Sequence, residues 1–328
     1  MKALVLEKIG HLEYKEVPDP VPGPGEVLLD IEACGICGSD VHGMDGSTGR
    51  RRPPLIMGHE AAGVVARLGE GVEGWEVGDR VTFDSTLFCG HCAFCAEGRV
   101  NLCEHRKVFG VSCEEYRQNG ALAERLVVPS RLLYKLPDPV SFEQGALVEP
   151  LSVAYHAVSH LPLKGGESAL VVGTGIIGLF SIQILQAFGC RPVFAVDLDP
   201  RRMEVAIQVG ASPWNEDAEV DVALEAVGKE EPVAAALLSL RKGGHLALVG
   251  NLEPSVSLPL QFTVTRELTL HGSCASAGEY PDCLRLIEEG AVQTDPILSA
   301  AAPLEEGADW FQRLRKGEEH LLKVVLRP

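Results

Sequence analysis

The sequence lacks any excess of positive charge. Its 328 residues include 29 lysines and arginines against 46 aspartates and glutamates, which gives a formal net charge of -17. Nucleic acids and anionic membrane surfaces would repel such a chain, so neither is an expected partner. No pattern repeats at a fixed period and no tract is of low complexity, which excludes repeat architectures and long disordered segments.

Long apolar runs are also scarce. The short apolar run at the N-terminus is interrupted by Glu7, too early for a signal peptide, so we expect no secretion. Residues 168–190 carry no formal charge and could cross a bilayer, but three glycines interrupt their first half and two glutamines lie in their second half. A strand, a glycine turn and a buried helix explain this run better. Ten cysteines without a secretion signal predict metal or thiol chemistry in the cytoplasm.

The predicted elements change character along the chain. A length of 328 residues exceeds one ordinary core and predicts two domains. Residues 1–152 contain short β-rich runs separated by proline and glycine, which indicates a compact, barrel-like β domain. In residues 153–294 strands and helices alternate, which predicts a parallel sheet covered on both faces. We expect the Leu/Val-rich tail, residues 295–328, to return to the first domain.

One segment near the N-terminus concentrates side chains that bind metals. Cys37, His59 and Glu60 offer a thiolate, an imidazole and a carboxylate, which are ligand types that zinc takes. Glycines before and between them permit tight turns, so the three side chains could converge. Taken singly, Cys37 or His59 is as consistent with a buried free cysteine or a core histidine. The motifs downstream favour the metal site.

A second cluster consists of four cysteines within fifteen positions: Cys89, Cys92, Cys95 and Cys103. Four thiolates bind zinc tetrahedrally and leave no open position, which indicates a structural site that stabilises a lobe with little apolar content. An iron–sulfur cluster is a weaker alternative because the spacing is not that of ferredoxins. A nucleic-acid-binding finger is weaker too, because no strongly basic helix follows.

A glycine motif marks the start of the alternating region. Gly173, Gly175 and Gly178 form G-x-G-x-x-G between a predicted strand and a predicted helix, the context in which this motif indicates dinucleotide binding. Gly173 would make the tight turn, Gly175 would let the backbone approach a pyrophosphate, and Gly178 would let the helix pack closely on the strand. The helix N-terminus would then bind the phosphates. A turn without a ligand is the alternative.

The residues after the next predicted strand bear on the choice of dinucleotide. Asp197 ends that strand about twenty residues beyond the glycines, where a carboxylate can accept hydrogen bonds from the ribose hydroxyls. It would repel a 2′-phosphate, which predicts NAD rather than NADP. Arg201 and Arg202 follow closely, and arginine is the residue that neutralises the phosphate in NADP sites.

Together these motifs resemble the medium-chain zinc-dependent dehydrogenases, in the family's order and over nearly the whole chain. Gly58–Val65 is similar to the family's zinc signature, and the four-cysteine cluster is similar to its structural-zinc lobe. The resemblance implies an α/β protein in which residues 1–152 and 295–328 form a GroES-like β-barrel catalytic domain, and residues 153–294 form a doubly wound Rossmann domain. Segments 120–124 and 145–153 are most similar to the sorbitol, or polyol, dehydrogenase branch.

The resemblance also implies roles for individual residues. A catalytic zinc would be held by Cys37, His59 and Glu60, with Glu149 either a direct ligand or the partner of a zinc-bound water. Ser39 and His42 would relay the released proton, with Glu149 as a rival. Residues implied on the NAD side are Ile177, Asp197, Arg202, Val249, Gly250 and Ser273, besides the three glycines. Independently, Asp40 could orient His59 as the carboxylate that commonly accompanies a metal-bound histidine; a simple capped turn is the alternative for Ser39 and Asp40.

The expected activity is NAD-dependent oxidation of a secondary alcohol, a polyol or sugar alcohol that is free or phosphorylated, at a metal and a nicotinamide facing each other between two lobes. Zinc would lower the pKa of the bound hydroxyl, and the nicotinamide would accept the hydride. L-Threonine 3-dehydrogenase, a secondary-alcohol or diol dehydrogenase, and a non-catalytic NAD-binding relative are the alternatives.

The run Arg50–Arg52 is expected to be a solvated loop, or else to bind a sugar phosphate. By analogy with relatives, a homotetramer or homodimer is expected.

Overall fold

A computed structural model describes residues 1–215, 218–317 and 321–328. The chain divides into two compact units: the first contains Met1–Glu149, Tyr280–Glu288 and Leu298–Pro328, and the second contains Pro150–Glu279 and Glu289–Ile297. The helix Tyr280–Glu288 lies inside the range predicted for the second domain but packs in the first unit. Its first residue is fully buried there and stacks on Tyr134, with ring centroids 4.8 Å apart.

The strands described in the two units are short, and most follow the β-rich runs of the sequence. In chain order they are β1 (Lys2–Lys8), β2 (His11–Glu16), β3 (Glu26–Gly35), β4 (Leu55–Ile56), β5 (Glu60–Leu68), β6 (Arg80–Phe83), β7 (Thr86–Leu87), β8 (Lys107–Val108), β9 (Val111–Ser112), β10 (Arg117–Gln118), β11 (Arg125–Pro129), β12 (Leu133–Lys135), β13 (Ala169–Val172), β14 (Val193–Val196), β15 (Ser212–Pro213), β16 (Val220–Glu225), β17 (Leu240–Leu248), β18 (Thr269–Gly272), β19 (Leu298–Pro303) and β20 (Lys323–Arg327).

The helices described are concentrated in the second half of the chain. They are α1 (Gly38–Met44), α2 (Ala93–Ala96), α3 (Phe142–Ala146), α4 (Val148–Ser159), α5 (Ile176–Ala187), α6 (Pro200–Gln208), α7 (Glu230–Leu238), α8 (Leu260–Thr265), α9 (Tyr280–Glu288) and α10 (Gly307–Lys316). None of the helices in the described part of the chain combines the length and apolar character needed to cross a membrane.

The first unit is built on a largely antiparallel sheet in which β12, β6, β5, β3, β20 and β19 follow one another and β11 also pairs with β3. Its centre is the long pairing of β3 with β5, which places Gly35 beside Glu60. A side chain at Gly63 would come within 2.1 Å of the Asp30 carbonyl oxygen, so glycine permits the close approach of these strands. The C-terminal strand β20 pairs with the end of β3. The ends of β3, β5 and β20 therefore meet in one place.

The second unit contains a six-stranded sheet in which every pairing is parallel, as the alternating pattern predicts. The strand order is β15-β14-β13-β16-β17-β18, that is 3-2-1-4-5-6 in order of appearance. This is the order of a doubly wound dinucleotide-binding sheet, whose ligands bind outside the carboxyl ends of the strands where the order reverses. Here the reversal lies between β13 and β16. The uncharged run 168–190 forms buried β13 and the largely buried α5.

Candidate active site and metal centres

The structure brings three of the predicted ligands together. Cys37 precedes α1 as its N-cap, Glu60 is the first residue of β5, and His59 immediately precedes that strand. One potential ligand atom from each residue lies within 4.8 Å of the other two. Zinc holds its ligands at about 2.0–2.3 Å, so donor atoms this close could share one ion. The pairing of β3 with β5 is what joins residues that lie more than twenty positions apart in sequence.

The electrostatic surroundings of this cluster fit a cation. Burial, followed by the charge of Glu60, raises the pKa of Cys37 to about 11, so the thiol alone would stay protonated at neutral pH. A bound metal ion reverses this by stabilising the thiolate. His59 Nδ1 lies 3.4 Å from Asp40 Oδ2, and neither buried atom has a hydrogen-bond partner among the described residues. Metal-bound histidines commonly direct one ring nitrogen at a carboxylate, so this pair fits a metal site.

Glu60 has a partner that the sequence analysis missed. Lys323 on β20 donates to both carboxylate oxygens of Glu60, at 2.6 and 2.9 Å, and to the carbonyl oxygen of Ile36. Both charged side chains are buried. Burial alone would lower the pKa of Lys323, but the charge and hydrogen bonds of Glu60, together with the charges of Cys37 and Glu149, outweigh burial and raise it. In sequence, Lys323 is one cation in an apolar run, and nothing in that run indicates a buried ion pair.

Glu149 lies outside the 4.8 Å cluster formed by Cys37, His59 and Glu60. It is in the first turn of α4, where its Oε1 accepts a hydrogen bond of 3.1 Å from Ser85 Oγ. Burial raises its pKa to about 8; the His59 imidazole opposes this shift, and the negative charges of Glu60 and Cys37 add to it. Glu149 therefore belongs to the electrostatic surroundings of the cluster. The two roles implied for it, direct ligand or partner of a bound water, both stay predictions.

The residues predicted to relay a proton lie on α1. Ser39 and His42 are exposed, whereas Asp40 between them is completely buried. The expectation of a solvated loop for Arg50–Arg52 is wrong for its middle residue. Arg51 is only 6% exposed, and it is bonded to Asp40 and Ser39.

The four cysteines of the second cluster also converge, with sulfur atoms within 4.8 Å of one another. Backbone N–H groups of His91 and Cys92 donate to Cys89 Sγ, and those of Cys89 and His105 donate to Cys103 Sγ. Backbone hydrogen bonds lower the pKa of Cys92 to about 6, whereas burial raises that of Cys95 to about 12. Amide donors around clustered sulfurs favour thiolates, so the cluster fits a closed zinc site.

The glycine motif has the geometry of a phosphate-binding turn. Gly173 adopts a φ of 90°, which favours glycine. A Cβ on Gly178 would lie 1.9 Å from the Gly173 carbonyl oxygen, so the helix packs closely on the turn. A Cβ on Gly175, the N-cap of α5, would meet nothing within 4 Å. The open space beside a helix N-terminus fits a pyrophosphate.

The other residues predicted to contact NAD lie at the carboxyl ends of neighbouring strands. Asp197 follows β14 and accepts hydrogen bonds from the backbone amides of Thr174 at 2.7 Å and Asp199 at 2.9 Å. Val249 and Gly250 follow β17, and Ser273 follows β18. Ile177 lies in the first turn of α5, and Arg202 is exposed on α6. The parallel sheet therefore brings all of these positions to one edge of the second unit.

Sequence analysis also missed Glu225 at this edge. Its buried carboxylate accepts hydrogen bonds from the backbone amides of Val227 and Gly228, and burial raises its pKa. It shapes the loop after β16, which approaches the loop after β17 so closely that a Cβ on Gly250 would lie 2.1 Å from the Gly228 nitrogen. The available signal was a glutamate at the end of a largely apolar strand, β16.

Two family models match the chain. An alcohol dehydrogenase GroES-like domain matches residues 23–138, and a zinc-binding dehydrogenase domain matches residues 177–289. The chain is 32% identical to sorbitol dehydrogenase from Bacillus subtilis, covering all of this chain and 97% of the relative. It is 34% identical to L-idonate 5-dehydrogenase from Vitis vinifera, covering 85% of this chain and 81% of the relative.

Solved structures with the same fold cover the whole chain. One is a zinc-binding dehydrogenase from Sinorhizobium meliloti bound to NADP, with a TM-score of 0.91, 29% identity and 99% of that chain covered. Another is 2R,3R-butanediol dehydrogenase from Bacillus subtilis, with a TM-score of 0.90, 32% identity and 99% of that chain covered.

Proposed function

Because this chain belongs to the zinc-dependent alcohol dehydrogenase family, we propose that it oxidises a secondary hydroxyl group of a polyol or sugar alcohol, with NAD as the hydride acceptor. The observation that carries the proposal is the convergence of Cys37, His59 and Glu60 within 4.8 Å of one another, in a chain that also has a doubly wound sheet with an open glycine turn. The alternatives of a free core cysteine and a satisfied core histidine do not account for this convergence.

Zinc bound by Cys37 and His59 would act as a Lewis acid that lowers the pKa of a substrate hydroxyl, and NAD would accept the hydride. Ser39 and His42 lie on the exposed side of α1, where they are available to pass the released proton to solvent. Glu149, whose carboxylate accepts a hydrogen bond from the Ser85 hydroxyl, is the second candidate for this proton transfer. Glu60 is bonded through both oxygens to Lys323, which favours a supporting role over permanent ligation.

The substrate class rests on two relatives whose names specify sorbitol and L-idonate, both polyhydroxy compounds. A diol dehydrogenase is the second candidate, because a structure that matches the whole chain bears the name 2R,3R-butanediol dehydrogenase. NADH formation should be measured with free polyols, sugar-alcohol phosphates, vicinal diols and L-threonine at equal concentrations. We expect the highest kcat/KM for a polyol. A clear preference for a diol or threonine would overturn the substrate class, and activity with none of them would support the non-catalytic alternative.

The preference for NAD over NADP rests on Asp197, whose carboxylate lies beside the glycine turn. The choice of coenzyme needs a test, since the similar structure from Sinorhizobium meliloti is bound to NADP. We predict that Asp197→Ser raises the ratio of kcat/KM for NADP to that for NAD by about tenfold or more, because the repulsion of a 2′-phosphate disappears. Steady-state kinetics with both coenzymes measure this ratio.

Glu204→Ser is the matched control for the coenzyme prediction. Glu204 is exposed on α6, and its replacement removes the same single negative charge from the same unit. If both variants change the ratio equally, the effect comes from net charge, and Asp197 is not the residue that selects the coenzyme.

We further propose two zinc ions per chain, one at the Cys37 cluster and one at the four-cysteine cluster. Elemental analysis of the purified protein should give about two zinc ions per chain.

A homotetramer or homodimer is proposed by analogy with relatives, and light scattering tests it. None of the ten cysteines, all within the described residues, forms a disulfide, which supports the proposal of a reducing compartment such as the cytoplasm.

A further inference from the structure

Arg51 is a buried cation on a surface loop. The loop is held by backbone hydrogen bonds from Arg52 to Ser112 and from Ser112 to Arg50, at 3.1 and 3.2 Å. Arg50 and Arg52 are exposed, as expected for a run of arginines, but the side chain of Arg51 turns inward and is 5% exposed. Removing a guanidinium group from water is costly unless its donors are satisfied, so its contacts need an explanation.

Nη1 of Arg51 donates to the carbonyl oxygen of Arg50 at 3.1 Å, and its other donors end on two neighbouring residues of α1. Its Nε and Nη2 donate to the same oxygen of Asp40, Oδ1, at 2.9 and 2.8 Å. Nη2 also donates to Ser39 Oγ at 3.2 Å. Glycine at position 43 of the helix leaves room for the arginine side chain, because a Cβ there would lie only 2.1 Å from Arg51 Cγ and would clash with it. Glycine inside a helix costs about 1 kcal/mol relative to alanine, and the passage of this side chain explains it here.

The Asp40 acceptor of Arg51 leads to a candidate zinc ligand. The second oxygen of Asp40, Oδ2, is left facing His59 Nδ1 at 3.4 Å. Ser39, which also accepts from Arg51, lies two positions after Cys37, the N-cap of the same helix. The guanidinium group of Arg51 therefore reaches His59 through one intervening residue, Asp40.

The charges around Asp40 show why a cation is needed on this side. Asp40 is completely buried, and Cys37 and Glu60 place two further potential negative charges near it. Lys323 balances Glu60, on the other side of the cluster. Without Arg51, the buried Asp40 carboxylate would keep His59 as its neighbour but would lose the hydrogen bonds that Oδ1 accepts within the described part of the chain.

We propose that Arg51 is a positioning residue for the catalytic zinc centre: it holds Asp40 against His59, so that this ligand stays oriented toward the metal ion. The inference rests on the proposed zinc site. It adds a residue outside the ligand set whose loss should weaken metal retention while leaving the four-cysteine site intact.

The test compares Arg51→Met with Arg52→Met in the zinc-loaded protein. Arg52 is the matched control, since it is exposed and pairs with Glu114 at the surface. Both proteins are dialysed against dipicolinate, and the zinc remaining per chain is followed with time. Because residues behind metal ligands contribute about 10–100-fold to metal affinity, Arg51→Met should lose one zinc about tenfold faster or more, whereas Arg52→Met should behave as the wild type. Equal rates in the two variants would overturn the proposal.

The zinc content of the wild-type protein distinguishes failure of the proposed zinc site from failure of the proposed role of Arg51. If it contains about one zinc per chain, the proposed catalytic site fails, whatever the variants do. If it contains about two and Arg51→Met retains both as Arg52→Met does, only the role of Arg51 fails. In the same preparations, kcat should fall in Arg51→Met while the KM for NAD stays within about twofold, because the arginine is bonded within the first unit.

Two further variants distinguish positioning from general loosening of the fold. Arg51→Lys keeps the charge but cannot donate the same paired hydrogen bonds, so its zinc loss should be intermediate; it also replaces Arg51→Met should that variant not fold. In an Asp40→Asn background, the additional effect of Arg51→Met should be smaller than in the wild type, because the two residues act through one contact. An unchanged effect in that background would show that Arg51 does not act through Asp40.

Discussion

Replacing Cys37 with alanine is expected to remove one zinc ion per chain and to lower kcat/KM for alcohol oxidation by about a thousandfold or more. The thiolate is one of two strong donors at the open cluster, and without it the metal that would activate the hydroxyl is not retained. A thousandfold loss corresponds to about 4 kcal/mol of transition-state stabilisation, in the range expected when a Lewis acid is removed. Elemental analysis and NADH formation measure the two effects on one sample.

Cys34→Ala is the control for the Cys37 prediction. Cys34 lies near the end of β3, three positions before Cys37, and is completely buried, but it is not part of the 4.8 Å cluster. That variant should retain about two zinc ions and turnover within a few-fold of the wild type. Full turnover in Cys37→Ala, or loss of zinc in Cys34→Ala only, would contradict the assignment of the ligand.

Replacing Lys323 with methionine is expected to lower the free energy of unfolding by about 3–5 kcal/mol. The reason is the carboxylate that remains: Glu60 is 1% exposed and would lose the cation bonded to both of its oxygens. Removing one partner of a buried ion pair leaves an uncompensated charge, which costs far more than the pair itself contributes. Urea unfolding followed by circular dichroism measures the change.

Lys135→Met provides the comparison for a surface pair. Lys135 is 71% exposed and bonds to Asp79 at 2.8 Å, so its loss should cost at most about 1 kcal/mol. The double variant Lys323→Met with Glu60→Gln should recover part of the stability, because a neutral amide replaces the unpaired charge. Equal losses of unfolding free energy in the two lysine variants would show that Lys323 and Glu60 do not form a buried ion pair.

Motifs that act within a few residues were predictable from the sequence. The four cysteines from Cys89 to Cys103 are close in sequence, so a short loop is enough to bring them together. The glycine turn between β13 and α5 is likewise local, because a tight turn and a close helix demand particular residues at particular positions. The parallel sheet of the second unit was predicted correctly, since strand and helix alternate with a regular spacing.

Contacts between distant segments were not predictable in this way. The arginine run had the composition of a solvated loop, and only the groove beside Gly43 and the carboxylate of Asp40 turn Arg51 inward. The helix α9 has no sequence signal for the unit in which it packs, because an apolar stripe specifies burial and not its partner. The ligand and coenzyme roles themselves stay predictions until metal content and kinetics are measured.

The sequence by itself determined the family, the order of the two kinds of domain, and the ligand types available for zinc and a dinucleotide, because these depend on residue chemistry and local spacing. Only the tertiary structure decided which charges are paired. Lys323 is separated from Glu60 by 263 positions, and Arg51 reaches Asp40 from a different loop. Burial makes such pairs obligatory, since an isolated charge removed from water is too costly to keep, but burial is a property of the folded chain that no short stretch of residues contains.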